Sequence, residues 1–188
     1  HAALAPRADL VVVDSGQHYD PELSQVFYDE LGLEPPAHRL GVGSGPHGAM
    51  TARILERIEP VLLEERPDGC IVYGDTNTTL AAALAAAKLG VPVAHVEAGL
   101  RSFDRAMPEE LNRVVVDHLA SLLLCPSDVA RRNLAAEGVV DGVHVTGDVM
   151  VDAARLFGDV AARRVDVGAF GVAALGFALA TVHREANT

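Results

Sequence analysis

The stretch Cys70-Ile71-Val72-Tyr73-Gly74-Asp75-Thr76, the alanine-rich run from Leu80 to Leu89, and Val91-Pro92-Val93-Ala94-His95-Val96-Glu97 decide the fold. A short apolar run, a helical stretch closed by Lys88 and Gly90, and a second apolar run give one strand–helix–strand unit. The same alternation continues outward in both directions. Leu10 to Val13, Leu122 to Cys125, Val143 to Thr146 and Phe177 to Val182 are further strand candidates. Helical periods fall at Pro21–Leu31, His47–Glu65, Thr76–Leu89, Pro108–Ala120, Ser127–Glu137 and Val149–Ala162. This spacing predicts an α/β fold with a parallel sheet covered by helices, and the continuous apolarity of the strands suits burial on both faces.

The 188 residues suffice for one well-buried domain, or for one domain and the start of another. Apolar residues make up 49% of the chain, yet no run is long enough to span a bilayer, so no membrane partner is expected. The 15 basic residues face 26 acidic ones, a formal net charge of −11, which excludes a nonspecific grip on nucleic acid or anionic lipid. An anionic substrate would therefore need a local basic pocket. Cys70 and Cys125 each sit in an apolar run, as small buried hydrophobes rather than a disulfide. His1 is not a start methionine and no signal peptide precedes the first strand, so the chain reads as part of something longer. Residues 1–165 are read as the first domain. Residues 166–188 are a small-residue linker and the opening of a second domain, where the strand-like Phe177–Val182 runs into a polar cluster.

Candidate chemistry gathers where strands end and helices begin, the usual ligand edge of a parallel α/β sheet. Glu97 follows a strand directly and precedes Ala98-Gly99, which leaves room for a ligand; Arg101 is one partner for it. Asp75 and Thr76 open a helix, where one of them caps it or meets an anion or a sugar hydroxyl. Pro108 suits a first helical position, with Glu109 and Glu110 in the first turn, where acids also stabilise a helix by themselves. On that helix Leu111, Val114, Val115, His118 and Leu119 share one face, and Glu109, Arg113 and Asp117 share another. Gly41-Val42-Gly43-Ser44-Gly45 lacks the strand and lysine of a phosphate loop and reads as a flexible connection. His183-Arg184-Glu185-Ala186-Asn187 combines an imidazole, a guanidinium and a carboxylate. No Cys/His spacing suggests a metal, and no Gly-x-Ser-x-Gly elbow suggests an acyl-transfer nucleophile.

Six segments, taken in order, resemble the non-hydrolysing UDP-N-acetylglucosamine 2-epimerases: Ser15-Gly16-Gln17-His18-Tyr19, Tyr73 to Thr79, His95 to Arg101, Pro108 to Arg113, Thr146-Gly147-Asp148-Val149, and Thr181-Val182-His183-Arg184. The resemblance implies a Rossmann-like sheet forming the N-terminal half of a GT-B fold, without its first strand and loop, followed by the start of the second half. It implies catalytic roles for Asp75, Glu97, Glu109 and His183, with Glu110 a helix-start neighbour. Arg101, Arg113, Arg184 and Asn187 are the implied substrate-binding residues, and Gln17, His18 and Arg53 an implied regulatory nucleotide-sugar site. The implied reaction inverts C2 of a UDP-sugar by eliminating UDP to a 2-acetamidoglucal and adding it back, with no cofactor and no metal. A cytoplasmic homodimer is expected of the intact protein, and no turnover from this span alone. A UDP-diacetamido uronic acid 2-epimerase, suited by Ser102-Phe103-Asp104-Arg105, is the near alternative. A GT-B glycosyltransferase and a non-catalytic nucleotide-sugar-binding module are the others.

Overall fold

The computed structural model describes residues 3–17, 28, 33–173 and 176–180. They form two compact units, His1–Asp148 and Val149–Thr188. In the first unit, β1 (Val13–Asp14) and β2 (His38–Arg39) make a two-stranded parallel sheet. A second sheet, also parallel, runs β3 (Cys70–Tyr73), β4 (Val93–Val96), β5 (Leu122–Cys125), β6 (Val143–Val145) in spatial order. The helices of this unit are α1 (His47–Glu65), α2 (Asn77–Lys88), α3 (Pro108–Leu119) and α4 (Asp128–Ala136). The second unit holds α5 (Val149–Arg164) and a 3-10 turn at Val167–Phe170.

Strand order that follows chain order fixes where the helices go. Parallel neighbours joined by right-handed crossovers place every intervening helix on one face of the sheet. The register confirms it: Val72, His95 and Leu123 lie in one row and are buried under helices, while Ile71, Ala94 and Leu122 lie in the alternate row. Among the described residues the second face is uncovered at Ile71, Tyr73 and Leu122, all exposed.

Helix α1 forms because Met50, Ile54, Ile58 and Leu62 recur every four residues as one buried stripe, each worth about 1.5–3 kcal/mol of apolar burial. It stops at Arg66, whose backbone is left-handed and whose N–H donates to the Leu62 carbonyl. Helix α2 begins with a capping box in which Thr76 and Thr79 serve each other's backbone N–H groups. Its alanines 81, 83 and 86 are fully buried, so small side chains let α1 and α3 pack closely on either side. Ile58, Leu62, Val72, Ala83, Val93 and Val116 share the main core. Leu123, Cys125, Ala130 and Leu134 form a second core under α4. Both cysteines are free thiols.

Three expectations change. Phe177–Ala180 carries no strand, because a strand exists only against a neighbour and the described part of the second unit offers none; Thr181 and Val182 lie outside the described residues, as does most of Pro21–Leu31. The glycine-rich connection is tied down rather than loose: Val42 and Gly43 donate to the Ser15 and Gly16 carbonyls, and Arg57 donates to the Leu40 and Gly41 carbonyls. Helix α3 is the third. Its apolar residues Leu111 and Val115 face out, while Glu110, Asn112, Arg113 and Asp117 are buried.

Gly99 shows how tightly the turn after β4 meets α4. Its φ is +79°, and a Cβ there would stand 2.4 Å from the Ala130 carbonyl oxygen and 2.8 Å from its carbon. Gly99→Ala combines left-handed strain with a backbone clash and is expected to cost roughly 3 kcal/mol or more. Urea denaturation of the purified protein checks this; a loss under about 1 kcal/mol would mean the turn and α4 can separate freely.

Candidate active site

The carboxyl ends of β3 and β4 open into adjacent turns, Gly74-Asp75 and Glu97-Ala98-Gly99. The first is pinned by Gly74 N–H donating to the Val96 carbonyl, the second by Glu97 and Ala98 N–H groups donating to Leu124. Glu97 is held at φ +72°, a left-handed conformation that a residue with a Cβ adopts only at a cost of about 1–2 kcal/mol. A Cβ on Gly74 would lie 3.6 Å from Glu97 Oε2, an ordinary contact, so what favours glycine there is its φ of +63°.

Thr76 takes the capping role, which frees the Asp75 side chain for another partner. Arg113 Nη1 donates to Asp75 Oδ2 at 2.5 Å, and Asn112 Nδ2 donates to the Asp75 carbonyl at 2.8 Å. Both come from α3. Arg113 is shared with Glu110, whose Oε2 also accepts from the Ser102 N–H and hydroxyl, while Oε1 accepts from the Phe103 N–H. Glu110 is therefore not simply a helix-start residue. At 2% exposure it is the anchor of the loop ahead of α3. Burial alone would raise its pKa, but the Ser102 and Phe103 N–H groups, Arg113 and the Ser102 hydroxyl hold it down at about 2.

Glu97 stands in the opposite condition. No protein donor reaches its carboxylate among the described residues. Burial lifts its pKa above the ordinary value, Asp148 and Asp75 lift it further, and His95 opposes them. A cavity of about 250 Å³ is lined by Glu97, Leu100, Pro126, Ser127 and Asp148. A carboxyl with a raised proton affinity beside a cavity is the kind of group that proton transfer uses.

Arg101 does not pair with Glu97. Its guanidinium is taken by Glu137, through Nε and Nη2 at 2.7 and 2.8 Å, and by Asp117 through Nη1 at 2.7 Å. Glu109 sits half-buried in the first turn of α3. Elsewhere in the first unit Gln17 Oε1 accepts from Thr78, and Arg53 Nη2 donates to the Ser44 carbonyl while its Nε is buried without a partner among the described residues. His18, His183, Arg184 and Asn187 lie outside the described residues. The structure thus brings Asp75, Glu97, Arg113 and Arg101 to one edge and adds residues that the motif reading left without a role. They are His95, Asn112, Asp117, Ser127 and Asp148. The signal for Asp117 was its place on the charged face of α3, which reads by pattern as a solvent face.

Fold and geometry together define an α/β protein with a carboxylate-rich candidate site at the carboxyl edge of a parallel sheet. The family model for UDP-N-acetylglucosamine 2-epimerase matches residues 2–188. A UDP-N-acetylglucosamine 2-epimerase homolog of Methanococcus maripaludis is 46% identical over 182 residues, 95% of this chain and 50% of that protein. The UDP-2,3-diacetamido-2,3-dideoxy-D-glucuronate 2-epimerase of Pseudomonas aeruginosa is 46% identical over 181 residues, again 95% of this chain and 50% of that protein. The crystal structure of the Methanocaldococcus jannaschii UDP-GlcNAc 2-epimerase in complex with UDP-GlcNAc and UDP superposes with a TM-score of 0.86 at 46% identity, covering 90% of this chain and 47% of that one. The chain belongs to the UDP-N-acetylglucosamine 2-epimerase family. It spans about half the length of the curated relatives it matches.

Glu110 supplies a pH test. Its folded pKa lies below the ordinary value of 4.5, so its contribution is complete above about pH 4.5 and is lost as pH falls through about 2. Glu110→Gln is expected to lower stability at pH 7 by about 3 kcal/mol, with the gap to the unsubstituted protein closing across that acid window. Urea titrations at several pH values check it; a gap independent of pH would contradict the depressed carboxylate.

Proposed function

We propose that the whole protein carrying this chain interconverts UDP-N-acetylglucosamine and UDP-N-acetylmannosamine by inverting C2. Glu97 carries the reading: a partly buried carboxylate with a raised proton affinity, without a protein donor among the described residues and beside Asp75 at the sheet edge, suits a proton-transfer group. The C2 proton is not acidified by a neighbouring carbonyl, so proton removal is coupled to breaking the C1–oxygen bond. UDP leaves with the bonding pair and a C1–C2 double bond forms, giving the 2-acetamidoglucal. UDP then adds back at C1 while C2 receives a proton on the opposite face. Asp75, Glu97 and Glu109 share the proton transfers, and His183, Arg184 and Asn187 serve the diphosphate. Arg113 contributes by holding Asp75. Arg101 contributes by holding the turn after Glu97, since its guanidinium is engaged within the protein. Gln17, His18 and Arg53 form the regulatory nucleotide-sugar site of this reading. Neither a metal nor a nicotinamide is required by the steps.

A second substrate is favoured by one observation: the diacetamido-glucuronate 2-epimerase of P. aeruginosa is as similar to this chain as the M. maripaludis relative. The outward Leu111 and Val115 of α3 support a homodimer, which a monomeric sedimentation coefficient for the whole protein would remove.

In deuterated water the whole protein should place solvent deuterium at C2 of both epimers. Glu97→Gln should lower kcat by about 100-fold or more. A panel of UDP-GlcNAc and the UDP-diacetamido uronic acid separates the two substrates by kcat/KM. Epimerisation without deuterium at C2 would overturn the elimination mechanism, and sugar transfer that requires an acceptor would point to a glycosyltransferase.

A further inference from the structure

Among the described residues of the first unit the most enclosed polar pair is His95–Asp117, both at 0% exposure. No step of the proposed reaction uses either side chain. Their bonds, however, reach both site turns. His95 Nε2 meets the Gly74 carbonyl oxygen at 2.8 Å, and a carbonyl only accepts, so Nε2 carries a hydrogen. Nδ1 meets Asp117 Oδ1 at 2.6 Å, a contact that holds a second proton between nitrogen and oxygen. With both nitrogens engaged, the ring has one orientation. The other Asp117 oxygen, Oδ2, accepts from the Gly99 N–H at 3.1 Å and from Arg101 Nη1 at 2.7 Å.

The consequence is geometric. The carbonyl of Gly74 belongs to the peptide plane that begins Asp75, so the imidazole fixes the plane from which the Asp75 side chain departs. The Gly99 N–H belongs to the turn that holds Glu97 in its left-handed backbone. A single carboxylate on α3 therefore ties the Asp75 turn, through an imidazole, to the Glu97 turn, directly. A buried polar pair of this kind adds little net stability over a well-packed apolar replacement, and what it adds is direction. Charged groups around it are Arg101, joined to Asp117, and Glu137, joined to Arg101.

We infer that Asp117 and His95 act as a positioning pair that sets the placement of Asp75 relative to Glu97 for proton transfer. The kinetic part of this inference rests on the epimerase reading above. The structural part stands on the hydrogen bonds alone.

Two replacements of His95 divide its bonds. His95→Gln places an amide nitrogen near the Nε2 position and keeps donation to Gly74. His95→Asn places one near Nδ1 and keeps the link to Asp117. Asn is one methylene smaller than Gln and leaves more empty space, so His95→Met, which fills the volume of the ring without donating a hydrogen bond, is the packing control: it should behave like His95→Asn, and a methionine variant that behaves like His95→Gln overturns the inference. In the whole protein, His95→Asn should move the Gly74 carbonyl carbon resonance, as the hydrogen bond to that carbonyl is lost, and lower kcat at least tenfold, with KM within about threefold. His95→Gln should leave that resonance in place and keep kcat within about threefold. Equal kcat in the two variants, or an equal Gly74 carbonyl shift, overturns the inference. A whole protein that does not epimerise would sink the functional reading, while the carbonyl shifts still decide the pair. If His95→Asn does not fold, Asp117→Asn, which keeps the shape and the Gly99 contact, is compared with Asp117→Leu. Only the leucine variant should lose Gly99 protection and at least tenfold in kcat; equal behaviour overturns the inference.

Discussion

One carboxylate, that of Asp117, sets the terms for the carboxyl edge of this sheet. An isolated charge in the interior is expensive, and removing one partner of a buried pair costs more than the pair itself contributes. Asp117 has no exposure and is surrounded by donors from three places: the imidazole of β4, the Gly99 N–H of the following turn, and Arg101 beyond it. Arg101 extends the chain of charges to Glu137 at the end of α4. Strand, turn and two helices are thus fixed by polar bonds with direction, where apolar packing alone would permit small sliding.

Helix α3 is built around that requirement. Its inner face carries Glu110, Arg113 and Asp117, and its outer face carries Leu111 and Val115. The inversion is affordable because each buried charge has a stated partner and the helix still contributes Val116 to the main core. It also divides labour between the site carboxylates. Asp75 is held by Arg113 and Asn112, whereas Glu97 has no protein donor among the described residues and a raised proton affinity. The carboxylate that is pinned and the one that is not are separated by which side chains of α3 reach them.

Much of the architecture was legible in the sequence. The stretches His47–Glu65, Cys70–Tyr73 and Leu122–Cys125 begin and end where their apolar patterns do, because each is bounded by Pro, Gly, Ser or charged residues and packs with one clear face. Strand β2 was not legible, since His38-Arg39 is two polar residues whose pairing with β1 comes from the backbone alone. Nor was the Phe177 stretch, where an apolar run has strand propensity but no neighbour among the described residues. For the site, motif order placed Asp75, Glu97 and Arg113 at one edge. It could not separate Glu110 the anchor from a helix-start acid, or reveal that Arg101 turns inward, because periodicity treats a charged face as a wet one. Only the identity of the partners distinguishes a solvated acid from a buried one.

The one-sided placement of α2, α3 and α4 has a consequence for how this polypeptide behaves in company. With the crossovers of β3 to β6 on the same face, Ile71, Tyr73 and Leu122 form an apolar surface on the other among the described residues, and β3 is an edge of the four-stranded sheet that no described strand pairs. Open edges next to bare apolar surface are the usual starting points for unwanted strand addition between chains. Expressed as an isolated span, the molecule's colloidal behaviour would be governed by this surface more than by its net charge of −11, and a shift of one copy against another along β3 would be the first association to guard against.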